Sequence, residues 1–500
     1  MAQMTTEVPM TRFGRRQTRG VLLGFSGPRV AALGTAAVIL GLALVSGVLA
    51  LALVPVTVLV AATFVRWQGR PVVESVGVVT HWGARRALGQ TTFRVRVEEP
   101  RPAGSMALPG DAAALRFLAT NSSGYGSGPA SGSGSGSGGG PGIVMVHDPH
   151  RQTLTAVAEV SYRAFVLLDG YAQQRRVSSW ARVQAAQASL GRTSTIQVME
   201  SVIPDPGRGV VGWWETHGIK DTSWAGGWAS VQYADLMELY APTSSTHRTL
   251  IAFGLDMRKA RAQIRRAGRG VAGAAKVLAT DIAQVEQALR RAELHVEGWL
   301  SEGELARVIR GAYDPVVDLE PAGAGASLSV AGPVAVDEHW DHLVHDSGVS
   351  VVLWISDWPR SETIPNFMHQ LIFERGVRRT LSLFMRPVAQ ANAVREVRRE
   401  KTDYIADRAQ KQKMGQVLAE SDSDEYVDVV TRERALNAGH ADMRYTGLIT
   451  ITAASLEEAR AAADTVRRSA NACGMETEVL YGRQAQAFTA AALPLARPIT

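Results

Sequence analysis

The longest apolar run in the chain, residues 30–65, reads VAALGTAAVILGLALVSGVLALALVPVTVLVAATFV and holds no charged side chain. As one helix it would be about 54 Å long at 1.5 Å per residue, against a hydrocarbon core of about 30 Å. Two helices of about 18 residues each fit that core, so the pattern predicts a helical hairpin turning at Ser46-Gly47. Pro55 then falls inside the second helix, where a kink is tolerated if the freed carbonyl finds a partner. A secretory signal has an apolar region of only about 7–15 residues, and this run is too long for one.

After residue 142 the pattern becomes a repeated strand–helix–strand grammar. Alternating positions predict strands over 153–165 and 194–203 with a helix over 171–190 between them. A strand over 247–255, a long Arg/Ala-rich helix to about residue 291 and a strand over 294–299 follow. Ser301 and Glu304 then form a capping box that opens a helix, which Gly311 and Pro315 close. A third unit has strands over 350–356 and 380–385 flanking a helix over 364–373. The fourth has strands over 444–452 and 478–481 around a helix capped by Ser455 and ended by Gly474. Such split units build ferredoxin-like sandwiches. Between the third and fourth units, residues 388–437 read as a charged helical stretch with a break near Ser421-Asp422.

The expected fold class is therefore α+β: an N-terminal two-helix transmembrane hairpin, repeated βαβ (ferredoxin-like) units and a long helical segment. The boundaries are a basic cytoplasmic N-terminus at 1–29, the hairpin at 30–65, a juxtamembrane β-rich subdomain at 66–120 and a linker at 121–142. An α+β domain at 143–255, ferredoxin-like units at 256–387, a helical segment at 388–440 and a C-terminal βαβ unit at 441–500 complete the chain. In the juxtamembrane piece VVESVGVV and TTFRVRV read as strands. The linker, NSSGYGSGPASGSGSGSGGGPG, buries nothing, and its G-x-G matches lack the strand and helix of a dinucleotide site.

Charge sets the orientation. Arg12, Arg15, Arg16, Arg19 and Arg29 precede the hairpin, and Arg66, Arg70, Arg85 and Arg86 follow it. Both flanks are positive, which predicts a two-pass protein of the plasma (inner) membrane with both termini cytoplasmic. Trp67 and Trp82 suit the headgroup level. The net charge of +6 is small for 500 residues and suits a membrane surface better than a dedicated nucleic-acid binder. The single cysteine, Cys473, excludes an intrachain disulfide and a cysteine-based zinc cage, and reads as a buried apolar residue rather than a nucleophile.

No nucleotide-binding loop is present. The nearest phrase, Gly218-Ile219-Lys220, lacks both the upstream glycine and the following hydroxyl that a phosphate cradle needs. His339, His342 and His345 form the densest set of metal-capable side chains. A membrane-tethered, metal-dependent enzyme using them is the competing reading; a polar helix leading into the next strand is the plainer one. His147-Asp148-Pro149-His150 reads as turn chemistry. Trp213, Trp214, Trp224 and Trp228 lie among Gly212, Gly218, Gly226 and Gly227, which suits either a partner anchor or a loop packed on its own domain. Arg258, Lys259, Arg261, Arg265, Arg266 and Arg269 form a basic run that reads first as a solvated helix, with contact to acidic lipid, or to a nucleic acid as the minority reading, as the alternatives. No catalytic, cofactor-binding or metal-binding residue is assigned, and the chain is not expected to be an enzyme.

Several phrases resemble an actinobacterial family of integral membrane proteins found with conjugative, type IV secretion-like systems. They are VGVVTHWGARRALGQTTF after the hairpin, DLMELYAPTSSTHRTLIAF, VDEHWDHLVHDSGVSVVLWISDWPR, RERALNAGHADMRYTGLITITA and GRQAQAFTAAALPLARP. The resemblance implies a membrane hairpin subunit fused to the motor-less N-terminal portion of the conjugation ATPase. It implies a non-catalytic role, docking or recruiting a separate ATPase, with that ATPase, other membrane subunits and membrane lipid as partners. Direct nucleic-acid contact is not expected, and a homo-oligomer is allowed by analogy. The alternative in the same class is an accessory membrane subunit of a type VII (ESX) secretion system.

Overall fold

A computed structural model describes residues 25–47, 49–96, 98, 101–120, 142–162, 165–204, 214, 232–233, 235–237, 239, 244–316, 327–359, 361, 363–413 and 420–499. The chain opens with α1 (Gly27–Ser46) and α2 (Leu49–Phe64), then β1 (Arg66–Trp67), β2 (Arg70–Pro71), α3 (Val72–Ala87), β3 (Thr92–Arg94) and β4 (Arg116–Thr120). Next come β5 (Ile143–Asp148), β6 (Thr153–Ser161), α4 (Gly170–Ser189), β7 (Thr193–Pro204), β8 (Ser245–Asp256), α5 (Arg261–Arg266), α6 (Gly270–Arg291) and β9 (His295–Trp299). These lead to α7 (Glu302–Tyr313), β10 (Ala335–Glu338), β11 (Leu343–His345), β12 (Gly348–Asp357), α8 (His369–Ile372) and β13 (Arg378–Pro387). The chain ends with α9 (Gln390–Lys413), α10 (Glu420–Asn437), β14 (Met443–Ala453), α11 (Leu456–Ala472), β15 (Glu476–Val479) and α12 (Gln484–Ala491).

α1 ends at Ser46, with Gly47 left-handed at φ 71°, where glycine alone is unstrained, and α2 packs back on α1. Phe25 and Phe64 meet edge-on, with ring centroids 6.2 Å apart, so the far ends of the two helices lie together. α1 is the one helix among the described residues that is long and apolar enough to cross a membrane, and Ala52–Phe64 is a shorter apolar stretch. Pro55 lies inside α2. The outer surface of the pair is apolar and uncovered: Leu42, Leu44, Val45, Leu53, Val54 and Val58 are all exposed.

Among the described residues thirteen strands form one sheet, and every pairing in it is antiparallel. Two groups within it share one plan. The elements β6-α4-β7-β8-α6-β9 pair in the order β9-β6-β8-β7, and β12-α8-β13-β14-α11-β15 pair in the order β15-β12-β14-β13. The second strands of the two groups, β7 and β13, pair with each other from Ile196↔Met385 to Val202↔Arg379 and weld the groups edge to edge. The four strand–helix–strand phrases of the sequence are thus two six-element groups spanning 153–299 and 348–479, which cut across the blocks 143–255 and 256–387. In each group the long insertion follows the second strand: residues 205–244 in the first, α9 and α10 in the second.

Strand alternation sorts side chains between two layers. On one face Ile196, Ile251, Val351 and Ile449 pack under α4, α6 and α11. On the other Val157, Met199, Leu250, Val352 and Phe384 pack under α7, α12 and the segment after it. That last segment is buried through Leu495 and Ala496. Gln197 on β7 donates to the carbonyls of Ala490 and Leu493 at 3.2 and 3.0 Å and accepts from the Ala496 N–H at 2.8 Å. Ser382 on β13 donates to the Ala491 carbonyl at 2.7 Å, and Arg497 binds Asp148 and Asp111. The C-terminal strap therefore crosses the seam and is bonded to both groups.

Several local expectations are corrected. VVESVGVV is α3, a helix rather than a strand: its valines are intrinsically strand formers, but Glu74 bonds Ser26 and Arg29 at the start of α1, and α3 packs on α1 and α2. The segment around His339–His345 is the β10–β11 hairpin rather than a polar helix, because its flanks turn inward at every second residue, Val336 and Glu338 on β10 and Leu343 and His345 on β11. In the charged stretch the described helices are α9, which reaches Lys413, and α10, which starts at Glu420. The Arg/Ala-rich helix is split into α5 and α6 by Gly268, Arg269 and Gly270, all at positive φ. The helix expected over 364–373 is only His369–Ile372.

Candidate membrane-docking site

The apolar helices are tied to the body at one joint, and it is built by a two-residue ladder. Arg66 and Trp67 pair with Pro71 and Arg70. The connecting Gln68 and Gly69 have φ 53° and 82°, the two left-handed positions that a tight hairpin turn requires. The Val72 N–H donates to the Val65 carbonyl at 3.0 Å. This reversal sends α3 back along α1 and α2 and leaves the Trp67 ring facing the body.

Trp340, in the β10–β11 connection, receives it. Trp67 stacks on Trp340 at 5.8 Å and 20°, Trp82 of α3 meets it edge-on at 5.3 Å, and Tyr481 stacks on it at 6.0 Å. The Trp340 indole N–H donates to the Gln68 side chain at 3.4 Å, and the Trp340 carbonyl accepts from the Gly482 N–H at 2.7 Å. Gly482 is at φ +68°, and a Cβ there would lie 2.7 Å from the Trp340 ring, so glycine is required twice over. Each aromatic pair adds about 0.5–1.5 kcal/mol beyond the area it buries. The Arg86 guanidinium lies 5.2 Å from the centre of the Trp82 ring.

An ionic link runs alongside. Arg85 in the last turn of α3 pairs with Glu338, a carboxylate with only 6% of its residue surface exposed, which also accepts from the Ala485 N–H at 3.1 Å. Arg94 pairs with Asp337 at 2.7 Å, and Arg29 with Glu74 at 3.2 Å. Three arginines close to the apolar helices or the joint thus face carboxylates of this chain. Trp67 and Trp82, the two rings expected at headgroup level, both face Trp340, and Trp67 is 43% exposed.

The histidines do not converge. His339 and His342 stack at 4.4 Å in the hairpin turn, with burial and then His342 itself lowering the His339 pKa, and His342 bonds Asp341 at 2.7 Å. His345 points into the core, where Nδ1 meets the Tyr313 carbonyl at 2.6 Å and Nε2 meets the Ser350 hydroxyl at 2.7 Å. Burial pushes its pKa down to about 4. Among the described residues no group of three His, Cys, Asp or Glu side chains could hold a metal.

No family model matches this chain, and no curated protein matches it.

Asp148 closes the β5–β6 turn by accepting from the N–H groups of His150 and Arg151. Burial favours its neutral form, but those bonds and Arg497 outweigh it and hold its pKa below the ordinary value. Cys473 caps α11 and is buried, and burial raises its thiol pKa. Trp214 stacks on Tyr233 at 4.8 Å. Trp213, Trp224, Trp228, their neighbouring glycines and the Gly218-Ile219-Lys220 phrase lie outside the described residues. Sequence reasoning missed Trp340, Glu338 and Tyr481 as the body's side of the joint. The one available signal was an isolated tryptophan between two strand-like phrases.

Proposed function

We propose that this chain is a non-catalytic, membrane-anchored component of a conjugation or type IV secretion-like apparatus that docks a separate ATPase at the inner face of the plasma membrane. In this reading α1 and α2 both cross the bilayer, with both termini cytoplasmic, and the two six-element groups are ferredoxin-like units forming the cytoplasmic platform. The observation that supports it is the pairing of an uncovered apolar helix surface with an interlocked joint, Trp67–Trp340–Trp82 with Arg85–Glu338, that ties those helices to a large body. A bare anchor needs only a flexible tether, whereas a joint of this kind holds the body in a fixed attitude to the lipid, as a docking platform requires. The choice of apparatus rests on the phrase-level resemblance. Purification of the tagged full-length chain from membranes of its own cells tests it. A P-loop ATPase of the conjugation type should co-purify; its absence overturns the reading, and capture of a type VII core ATPase transfers the chain to that system.

A further inference from the structure

The basic run next to β8 is unlike the other charged surfaces of this protein. From Met257 to Thr280 there is no acidic residue, while Arg258, Lys259, Arg261, Arg265, Arg266, Arg269 and Lys276 all fall there. All seven are exposed. Elsewhere in the same strand group five arginines are matched by carboxylates: Arg175 and Arg176 with Glu293, Arg192 with Asp281, Arg248 with Glu159 and Arg290 with Glu286. Here the described ion pairs reduce to Lys259 with Asp256 at 3.8 Å.

The corner that presents these side chains is rigid. A Cβ at Gly273 would lie 2.7 Å from the Ile264 carbonyl, so the first turn of α6 sits directly on α5. The Arg269 N–H donates to the Ile264 carbonyl at 2.9 Å, and the Lys276 ammonium reaches back towards Gly268. The Met257 N–H donates to the Gln152 carbonyl, joining the patch to the neighbouring β5–β6 turn with its exposed His150.

We infer that this corner is a binding surface for the phosphodiester backbone of a nucleic acid. A bilayer surface is the other polyanion to consider, and two observations disfavour it. Interfacial helices insert an apolar face, but α5 spends its own on the protein core, with Ala260 fully buried and Ile264 at 6% exposure. The patch also follows β8, five strand steps from β11 in the sheet. That is roughly 24 Å at about 4.8 Å per step, so the patch is separate from the cations beside α1 and α2. Guanidinium groups without neighbouring aromatic rings contact phosphates and read no bases, so recognition is independent of sequence and strongly salt-dependent.

The test uses the full-length protein in discs of uncharged phosphatidylcholine, with fluorescence anisotropy of labelled duplexes of two unrelated sequences. Both should bind alike, with log K falling linearly in log salt between about 50 and 200 mM. The triple variant Arg261→Glu/Arg265→Glu/Arg269→Glu should bind about tenfold or more weakly. The neutral triple to Gln should flatten the salt slope by about 2.7, at roughly 0.9 per phosphate contact. Reversal of Arg395, Arg398 and Arg399 on α9, an equal charge change, should leave affinity within about twofold. Absence of binding by the wild type overturns the inference, as does wild-type affinity in the triple variants or an equal loss in the α9 control. Loss of binding to phosphatidylglycerol vesicles with duplex binding intact would assign the patch to lipid and overturn it as well.

Discussion

Gln197 on β7 donates to Ser382 on β13 at 3.0 Å, across the seam where the two strand groups join. Both residues also bind the C-terminal strap, so the contact fastens three separate parts of the chain at one fully buried point.

Replacing Gln197 with Leu keeps the volume and removes every one of these bonds. The Ala490 carbonyl and the Ala496 N–H are left without this buried partner, while the Leu493 carbonyl keeps the Leu495 N–H, so the cost is about 2–6 kcal/mol at roughly 1–3 for each orphaned group. Urea unfolding in detergent should show that loss, with faster amide exchange over residues 490–497. Unchanged exchange there contradicts the role given to the strap.

Trp340→Ala removes one ring from three aromatic contacts and should destabilise the joint by about 2–4 kcal/mol. The effect is local. Proteolysis between residues 66 and 91 should accelerate while the β7–β13 seam stays protected and membrane retention is unaltered. Uniform destabilisation of the whole sheet would instead make Trp340 an ordinary core residue.

The Arg85–Glu338 pair should be strongly coupled. Arg85→Ala leaves a buried carboxylate without its cation and should cost about 2–3 kcal/mol, less than for a fully dry pair because Arg85 retains some exposure. Adding Glu338→Gln should recover part of that loss. A double-mutant cycle with coupling near zero contradicts the buried ionic link.

How much of this was legible beforehand depended on range. The turn at Gly47 and the capping box at Ser301 were readable because a few adjacent residues specify each. The strands expected over 194–203 and 350–356 were readable because short runs rich in β-branched and apolar residues specify a strand covered on both faces. Helix α3 misled because its valines favour strands by themselves, and the contacts that fold it, Glu74 to Arg29 and Trp82 to Trp340, reach across 45 and 258 positions. The hairpin holding His339 and His342 misled in the opposite sense, since i, i+3 spacing suggests a helix face only if a helix is there. The pairing of β7 with β13 joins residues nearly two hundred positions apart, and nothing local announces it.

Acid should weaken the fold through His345. Its folded pKa, about 4, lies below the ordinary 6.5, so above pH 6.5 it is neutral in both folded and unfolded chains. As pH falls from 6.5 towards 4, the unfolded chain takes up a proton that the folded one refuses, and stability drops by up to about 3 kcal/mol before levelling off. His345→Gln should remove this increment, which appears as the difference between the wild-type and variant stability–pH curves. Parallel curves contradict the buried neutral imidazole.

The account rests on α1 and α2 lying in lipid and carrying the folded body with them. Alkaline carbonate extraction of native membranes, followed by detection of an epitope after residue 499, tests this most directly. The full-length chain should stay in the pellet and the epitope should be digested only when protease reaches the cytoplasmic side. Release of the intact chain into the supernatant, or digestion of the epitope from outside the cell, contradicts it.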